Sequence, residues 1–165
     1  RNRHRHPPDP RRQDRQRETA VMKAIASYDG IGQLKKLMAN AKRLNQEDVY
    51  LEALARRCEL EGIDFDDPVE REFHGVLVAY EEFLKERNGR TTSASYTRRK
   101  LRDKGVIRCL EDWALAEQET DGFKALMSKR LTHLTGEHIV LKYPDRFSPE
   151  AVEGARRRLS KHGAI

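Results

Sequence analysis

Three arginines in the middle of the chain have the spacing of one helix face. Arg98, Arg99 and Arg102, together with Ser95, fall within about 100° of one another when a helix turns by about 100° per residue. The opposite side carries smaller or apolar residues, which could pack on a core: Ala94, Thr97 and Leu101. Guanidinium groups that project together bind phosphate oxygens and, in DNA, guanine edges. The pattern therefore predicts an anion-binding helix over residues 92–104.

Polar residues around this predicted helix would complete such a site. Hydroxyl groups and free backbone N–H groups in a first helical turn suit phosphate oxygens, and Tyr96 could stack on an unpaired base. The predicted nucleic-acid-binding residues are Arg90, Thr92, Ser93, Ser95, Tyr96, Arg98, Arg99, Arg102 and Lys104. The competing interpretation is a solvated helix face whose arginines pair with acids on neighbouring helices.

The segment before the basic helix favours a helix-turn-helix-like element. A long helix over about residues 69–84 would end at the Asn88–Gly89 turn, and the basic helix would follow. In helix-turn-helix proteins the second helix enters the major groove of DNA. DNA is therefore favoured over RNA as the partner.

The distribution of charge supports an anionic partner. The chain of 165 residues carries a net charge of +6. Residues 1–20 hold seven arginines against three acids, and residues 90–104 hold six basic residues against one acid, so the remainder sums to −3. Two basic concentrations on a mildly acidic protein are easier to explain by an anionic ligand than by solubility.

A second basic group lies near the carboxyl end, at Arg156, Arg157 and Arg158. Glu153 stands four residues before Arg157, which favours an ordinary i,i+4 ion pair. Cations near a helix C-terminus are also favoured by the helix dipole. This group is predicted to be a surface patch and a secondary phosphate contact at most.

No motif in the sequence requires catalysis. His133 and Glu137 are four residues apart, but there is no HExxH motif, Gly-rich phosphate loop or GxSxG motif. Glu137, Lys142 and the Pro144–Asp145 pair include the residue types of Mg-dependent nucleases, in an order that does not match them. We therefore predict no catalytic residue, no metal site and no cofactor, with a nuclease as the least favoured alternative.

The rest of the chain predicts an all-α fold. Apolar residues recur at spacings of three and four from Met22 onward, which indicates one compact domain of about eight helices over residues 22–165. Residues 137–143 could form a strand or a helix, and a helix is preferred because a lone strand would have no partner. Residues 1–21 lack large apolar residues until Val21, which predicts a disordered basic arm. The chain begins with Arg, so this arm is also a candidate for non-native sequence.

Two isolated cysteines, Cys58 and Cys109, lie at apolar-periodic positions and predict buried thiols rather than a disulfide or a zinc site. No apolar run approaches the roughly 20 residues of a membrane span, so a cytoplasmic protein with no membrane contact is expected. The favoured function is nucleic-acid binding through the basic helix. The alternative is a helical adaptor that docks an acidic protein, with the predicted hairpin over residues 31–62 as a second surface.

Overall fold

A computed structural model describes residues 10–165, apart from the side chains of Pro10 and Glu18. Within that range the secondary structure is helical and includes no strand, as the apolar periodicity predicted. The eight α-helices are α1 Pro10–Ala26, α2 Ile31–Arg43, α3 Glu47–Glu61, α4 Pro68–Asn88, α5 Ser95–Leu115, α6 Asp121–Ser128, α7 Gly136–Lys142 and α8 Pro149–Lys161. The ambiguous stretch near residue 140 is thus a helix, α7.

The chain divides into two compact units, residues 1–56 and 57–165, and the division falls within α3. The prediction of one domain over residues 22–165 therefore stays a prediction.

The first unit contains α1, α2 and most of α3. Its buried apolar residues include Ile25, Leu34, Met38 and Leu54. Helix α1 covers residues 10–21 of the segment that was expected to be disordered, and the described side chains over that stretch are exposed. The stretch is rich in Arg, Gln and Glu, which favour helices, and it leads into the buried Ile25. Residues 1–9 of the predicted arm lie outside the described residues.

The second unit contains α4 to α8, and local sequence signals set the ends of its helices. The Asp67 carboxylate accepts a hydrogen bond of 3.0 Å from the Val69 N–H at the start of α4, and Ser148 caps α8 in the same way. Gly89 ends α4 in the left-handed conformation, with φ of 65°. The predicted end of the long helix at the Asn88–Gly89 turn is therefore confirmed.

Helix α5 consists of two helical segments. Gly105 interrupts it with φ of 79° and ψ of 168°, a conformation that is essentially restricted to glycine. The predicted stop of the basic helix at Gly105 is therefore confirmed. The residues after Gly105 turn inward, where Val106, Cys109 and Leu110 are buried.

Helices α5, α7 and α8 pack together around the core of the second unit. Close approach is possible because glycines face α5: a Cβ atom on Gly154 would lie 2.5 Å from the Ala114 carbonyl oxygen, and one on Gly136 would lie 2.7 Å from the Trp113 ring. The Trp113 ring also stacks on Phe73 of α4 at 5.2 Å. The second segment of α5 is thus fixed on several sides.

Candidate nucleic-acid interface

The carboxylate of Glu81 on α4 holds the beginning of α5 in place. It accepts hydrogen bonds from the Ala94 N–H at 2.8 Å and from the Ser93 hydroxyl at 3.2 Å. Arg98 adds two more, from Nε at 2.6 Å and from Nη2 at 2.7 Å. One acidic side chain therefore joins the loop before α5 and the first turn of α5 to α4.

This clamp corrects the expectation that three guanidinium groups project together into solvent. The Arg98 side chain is 42% exposed, but its charge is already paired with Glu81. Arg98 is therefore a positioning residue rather than a free anion ligand. No local sequence pattern indicates the pair of Glu81 and Arg98, because 17 residues separate them.

The pKa values of the pair are consistent with a permanent ion pair. Partial burial by itself raises the pKa of Glu81, but hydrogen bonds from Arg98 and from the Ala94 N–H outweigh it, and the net pKa lies below the ordinary 4.5. The hydrogen bonds to Glu81 raise the pKa of Arg98. Both groups are charged at neutral pH.

A second acid, Asp112 of α5, lies within ion-pair distance of three basic residues of the same helix. Lys100 Nζ lies 2.8 Å from its carboxylate, Arg108 Nε lies 3.0 Å away, and Lys104 Nζ lies at 4.0 Å. The hydrogen bond from Lys100 lowers the pKa of Asp112, and burial opposes this only in part. Lys104 was predicted to contact nucleic acid, and the structure directs it towards this carboxylate at the outer limit of an ion pair.

The structure also corrects the expectation that the Thr92 and Ser93 hydroxyl groups lie in the first turn of the basic helix. Helix α5 begins at Ser95, after an Ala94 N-cap without a side-chain hydrogen bond, so Thr92 and Ser93 precede the helix instead of forming its first turn. The Thr92 hydroxyl accepts a hydrogen bond from Asn88 Nδ2 and donates one to the Arg90 carbonyl oxygen, both at 3.1 Å. Ser93 is held by Glu81. Both hydroxyls therefore shape the loop.

Four of the predicted residues on the first segment of α5 are exposed and are not held by Glu81 or Asp112, and we call them the exposed strip: Ser95, Tyr96, Arg99 and Arg102. Tyr96 is 71% exposed. Arg102 is 75% exposed and lies 3.7 Å from Asp103, its only ion-pair partner within residues 10–165. The side chain of Arg99 has no hydrogen bond or ion pair within that range, and neither does the side chain of the exposed Arg90 in the preceding loop. The strip is therefore the part of the predicted site that stays exposed, with Asp103 as the acid beside it.

The second predicted basic patch is divided between surface and core. Arg156 and Arg157 are exposed, and Arg156 lies 3.5 Å from Glu153, the acid that was expected to pair with Arg157. Arg158 is buried: its Nη1 donates to Glu137 at 2.7 Å and to the Trp113 carbonyl oxygen at 2.5 Å, and its Nη2 donates to the Ala116 carbonyl oxygen. Arg158 is therefore not part of a surface patch.

The position of Arg158 in α8 explains its burial. It comes three residues after the buried Ala155 and four after the buried Gly154, so it shares their inward face. That helical spacing was the available signal in the sequence. Its partner Glu137 is 2% exposed, and burial raises the pKa of Glu137 despite the hydrogen bond from Arg158.

The residues considered for a nuclease are engaged elsewhere. Glu137 binds Arg158, and Lys142 Nζ lies 2.5 Å from Glu72. Over residues 10–165, no group of three or more His, Cys, Asp or Glu side chains is arranged to hold a metal ion. Cys58 and Cys109 are both buried, and burial raises the pKa of Cys58 to about 12.

Comparison of the chain with protein-family models, with curated proteins and with solved structures finds no match. Over residues 10–165, every helix is too short or too polar to cross a bilayer. Any functional assignment therefore depends on the geometry and chemistry of the chain itself.

Proposed function

We propose that the chain binds nucleic acid through Tyr96, Arg99 and Arg102 of the exposed strip, together with Arg90 in the loop before it. The observation that carries the proposal is the contrast between these residues and their basic neighbours. Arg98, Lys100 and Arg108 are paired with acids on α4 and α5. The Arg99 side chain has no such partner within residues 10–165, and Arg102 is 75% exposed with only the neighbouring Asp103 at 3.7 Å. Both lie on the outside of a segment that those pairs hold in place.

The two arginines are three residues apart on one helix, where like charges repel by a few tenths of a kcal/mol. A phosphate group between them would replace that repulsion by attraction and could accept charge-assisted hydrogen bonds. Because Glu81 and Asp112 already fix the helix backbone, only side chains need to be ordered when a ligand binds. A preorganised site loses less entropy on binding.

The pairing of Arg98 reduces the expected number of phosphate contacts. Each neutralised phosphate contributes roughly 0.9 to the slope of log K against log salt for a duplex, and roughly 0.7 for a single strand. With Arg90, Arg99 and Arg102 as the contacting cations, the slope should be small. We therefore expect binding of modest affinity that weakens as the salt concentration rises.

Docking in the major groove of DNA is the narrower form of the proposal. In it, α4 is the first helix and residues 95–104 form the recognition helix of a helix-turn-helix element. Residues 89–94 connect the two helices, and six residues exceed the three or four of the usual turn. Titration with a duplex and with a single strand therefore distinguishes docking in the major groove of DNA from phosphate contacts that need no groove.

The alternative partner is an acidic protein, which the same arginines would attract. A titration of the full chain separates the two, using a labelled duplex, a single strand of the same sequence and polyglutamate at low and moderate salt. The proposal predicts salt-dependent binding of at least one nucleic acid, and weaker binding of polyglutamate. Equal or tighter binding of polyglutamate would favour the protein partner, and the absence of nucleic-acid binding at low salt would refute the proposal.

A further inference from the structure

A cavity of about 210 Å³ lies beside the exposed strip, between α4, α5, α6 and α7. Four aromatic side chains from three helices line it: Tyr80, Tyr96, Trp113 and Phe123. Tyr96 belongs both to the cavity wall and to the exposed strip, and it is 71% exposed. The cavity and the cationic surface therefore meet at Tyr96.

The charges around the cavity differ from those of the strip. Among the described residues its lining includes no lysine or arginine, and its acids are Asp121 and Glu137. Glu137 is neutralised by Arg158 on its other side, which leaves Asp121 as the negative charge of the wall. An anionic phosphate would be repelled here. An uncharged ring could enter and could donate a hydrogen bond to Asp121.

Two residues of the aromatic wall carry a polar atom that is unpaired within the described part of the chain. The Tyr80 hydroxyl and the Trp113 indole nitrogen have no hydrogen-bond partner within residues 10–165. Over the same range no fully buried side-chain nitrogen or oxygen lacks a partner, so both atoms must reach solvent. Burial, followed by the charge of Asp121, raises the pKa of Tyr80, which keeps its hydroxyl protonated as a donor.

The size and rigidity of the cavity suit a single ring system. Pockets for drug-sized ligands measure about 300–1,000 Å³, so this cavity is smaller. Trp113 is held between Phe73, which stacks on it at 5.2 Å, and Gly136, where a Cβ atom would lie 2.7 Å from the indole. The Trp113 part of the aromatic wall is therefore preformed.

We infer that the cavity receives one unpaired base of a single-stranded nucleic acid, while Arg99 and Arg102 hold adjacent phosphates. This inference rests on the proposed function. An aromatic cavity whose described lining has no lysine or arginine lies beside a cationic strip, and the two match the two parts of a nucleotide, the ring and the phosphate. A base in a duplex is stacked and paired, so only an unpaired one could enter without an unstacking cost.

The single tryptophan of the chain, Trp113, provides a direct test. The full chain is titrated with a mixed-sequence single-stranded oligodeoxynucleotide and with an abasic strand of equal length, which keeps the phosphates and lacks the bases. The base-bearing strand should bind about tenfold more tightly, because stacking on aromatic side chains contributes that much or more. It should also quench the emission of Trp113, whereas the abasic strand should leave that emission unchanged.

Gly122 allows the cavity to be narrowed. A Cβ atom there would lie 3.4 Å from the Tyr80 ring, at the short end of ordinary contact, so the methyl groups of Gly122→Val would occupy space at the wall. Far-UV circular dichroism checks that the variant is folded. Gly122→Val should abolish the preference for the base-bearing strand. The matched control is Gly32→Val, where an added Cβ meets nothing within 4 Å, and it should keep the preference.

The possible outcomes separate the two claims. Equal affinity of the wild-type chain for both strands, or unchanged Trp113 emission with the base-bearing strand bound, would overturn the base-binding inference and leave the proposed function standing. Failure of both strands to bind at low salt would refute the proposed function and this inference with it.

Discussion

Glu81 and Arg98 are joined by two hydrogen bonds, of 2.6 and 2.7 Å, between helices α4 and α5. The pair converts one arginine of a basic helix from a ligand-binding group into a structural one. The same carboxylate also accepts hydrogen bonds from the Ala94 N–H and from the Ser93 hydroxyl. The position of the exposed strip therefore depends on an acid that is distant in sequence.

The first prediction concerns the stability of the Glu81 clamp. Arg98→Ala removes two charge-assisted hydrogen bonds and leaves a partly buried carboxylate without its main partner. After discounting for the exposure of Arg98, we expect the free energy of unfolding to fall by about 1 kcal/mol. Arg99→Ala, as the control, should change it by less than about 0.5 kcal/mol. Urea unfolding measures both, and equal losses would contradict the distinction between them.

The second prediction is a pH dependence that arises from Glu81. The pKa of Glu81 in the folded chain is lowered from its ordinary 4.5, so its contribution to stability is full above pH 4.5 and is lost as the pH falls through the folded pKa. Glu81→Gln should therefore be less stable than wild type at neutral pH, and the difference should shrink below pH 4.5. Chemical unfolding across that range measures it. A difference that grows on acidification would show the sign to be wrong.

The third prediction concerns the buried pair of Arg158 and Glu137. Arg158→Ala leaves Glu137 buried and unpaired, and it exposes two carbonyl oxygens at the end of α5 to an empty space. Removing one partner of a buried pair costs about 3–5 kcal/mol. Arg157→Ala, on the exposed side of the same helix, should cost less than about 0.5 kcal/mol. A small effect of Arg158→Ala would mean that Glu137 is protonated or solvated in the folded chain.

The fourth prediction tests the kink in α5. Gly105 adopts φ of 79° and ψ of 168°, so Gly105→Ala should lower the free energy of unfolding by about 1–3 kcal/mol. Gly32→Ala is the matched control, because Gly32 lies in a regular part of α2 with open space around it and should be neutral or stabilising. If the two variants unfolded alike, the kink would not depend on glycine.

The sequence predicted those features that depend on neighbouring residues. The helix ends at Gly89 and Gly105 follow from local chemistry that is visible in a few adjacent residues. The all-α class likewise follows from apolar spacing. The start of α5 was wrong by three residues, because Glu81 holds Ser93 and Ala94 outside the helix.

The features that the sequence did not predict depend on distant contacts. The partners of Arg98 and Arg158 lie 17 and 21 residues away, on other helices. Helical periodicity shows which face a residue occupies but does not show what lies opposite it. For the same reason no spacing in the sequence indicates that Trp113 lies in the wall of a cavity.

The most direct test of the proposed interface is the salt dependence of oligonucleotide binding by the full chain. Arg99→Ala combined with Arg102→Ala should weaken binding and reduce the slope of log K against log salt by roughly 0.7–0.9 for each phosphate that is no longer neutralised. The control is Lys35→Ala combined with Lys36→Ala, which removes the same charge from exposed positions of α2. This control should keep nearly the wild-type affinity and slope. Identical slopes for the two double variants would contradict binding at the exposed strip.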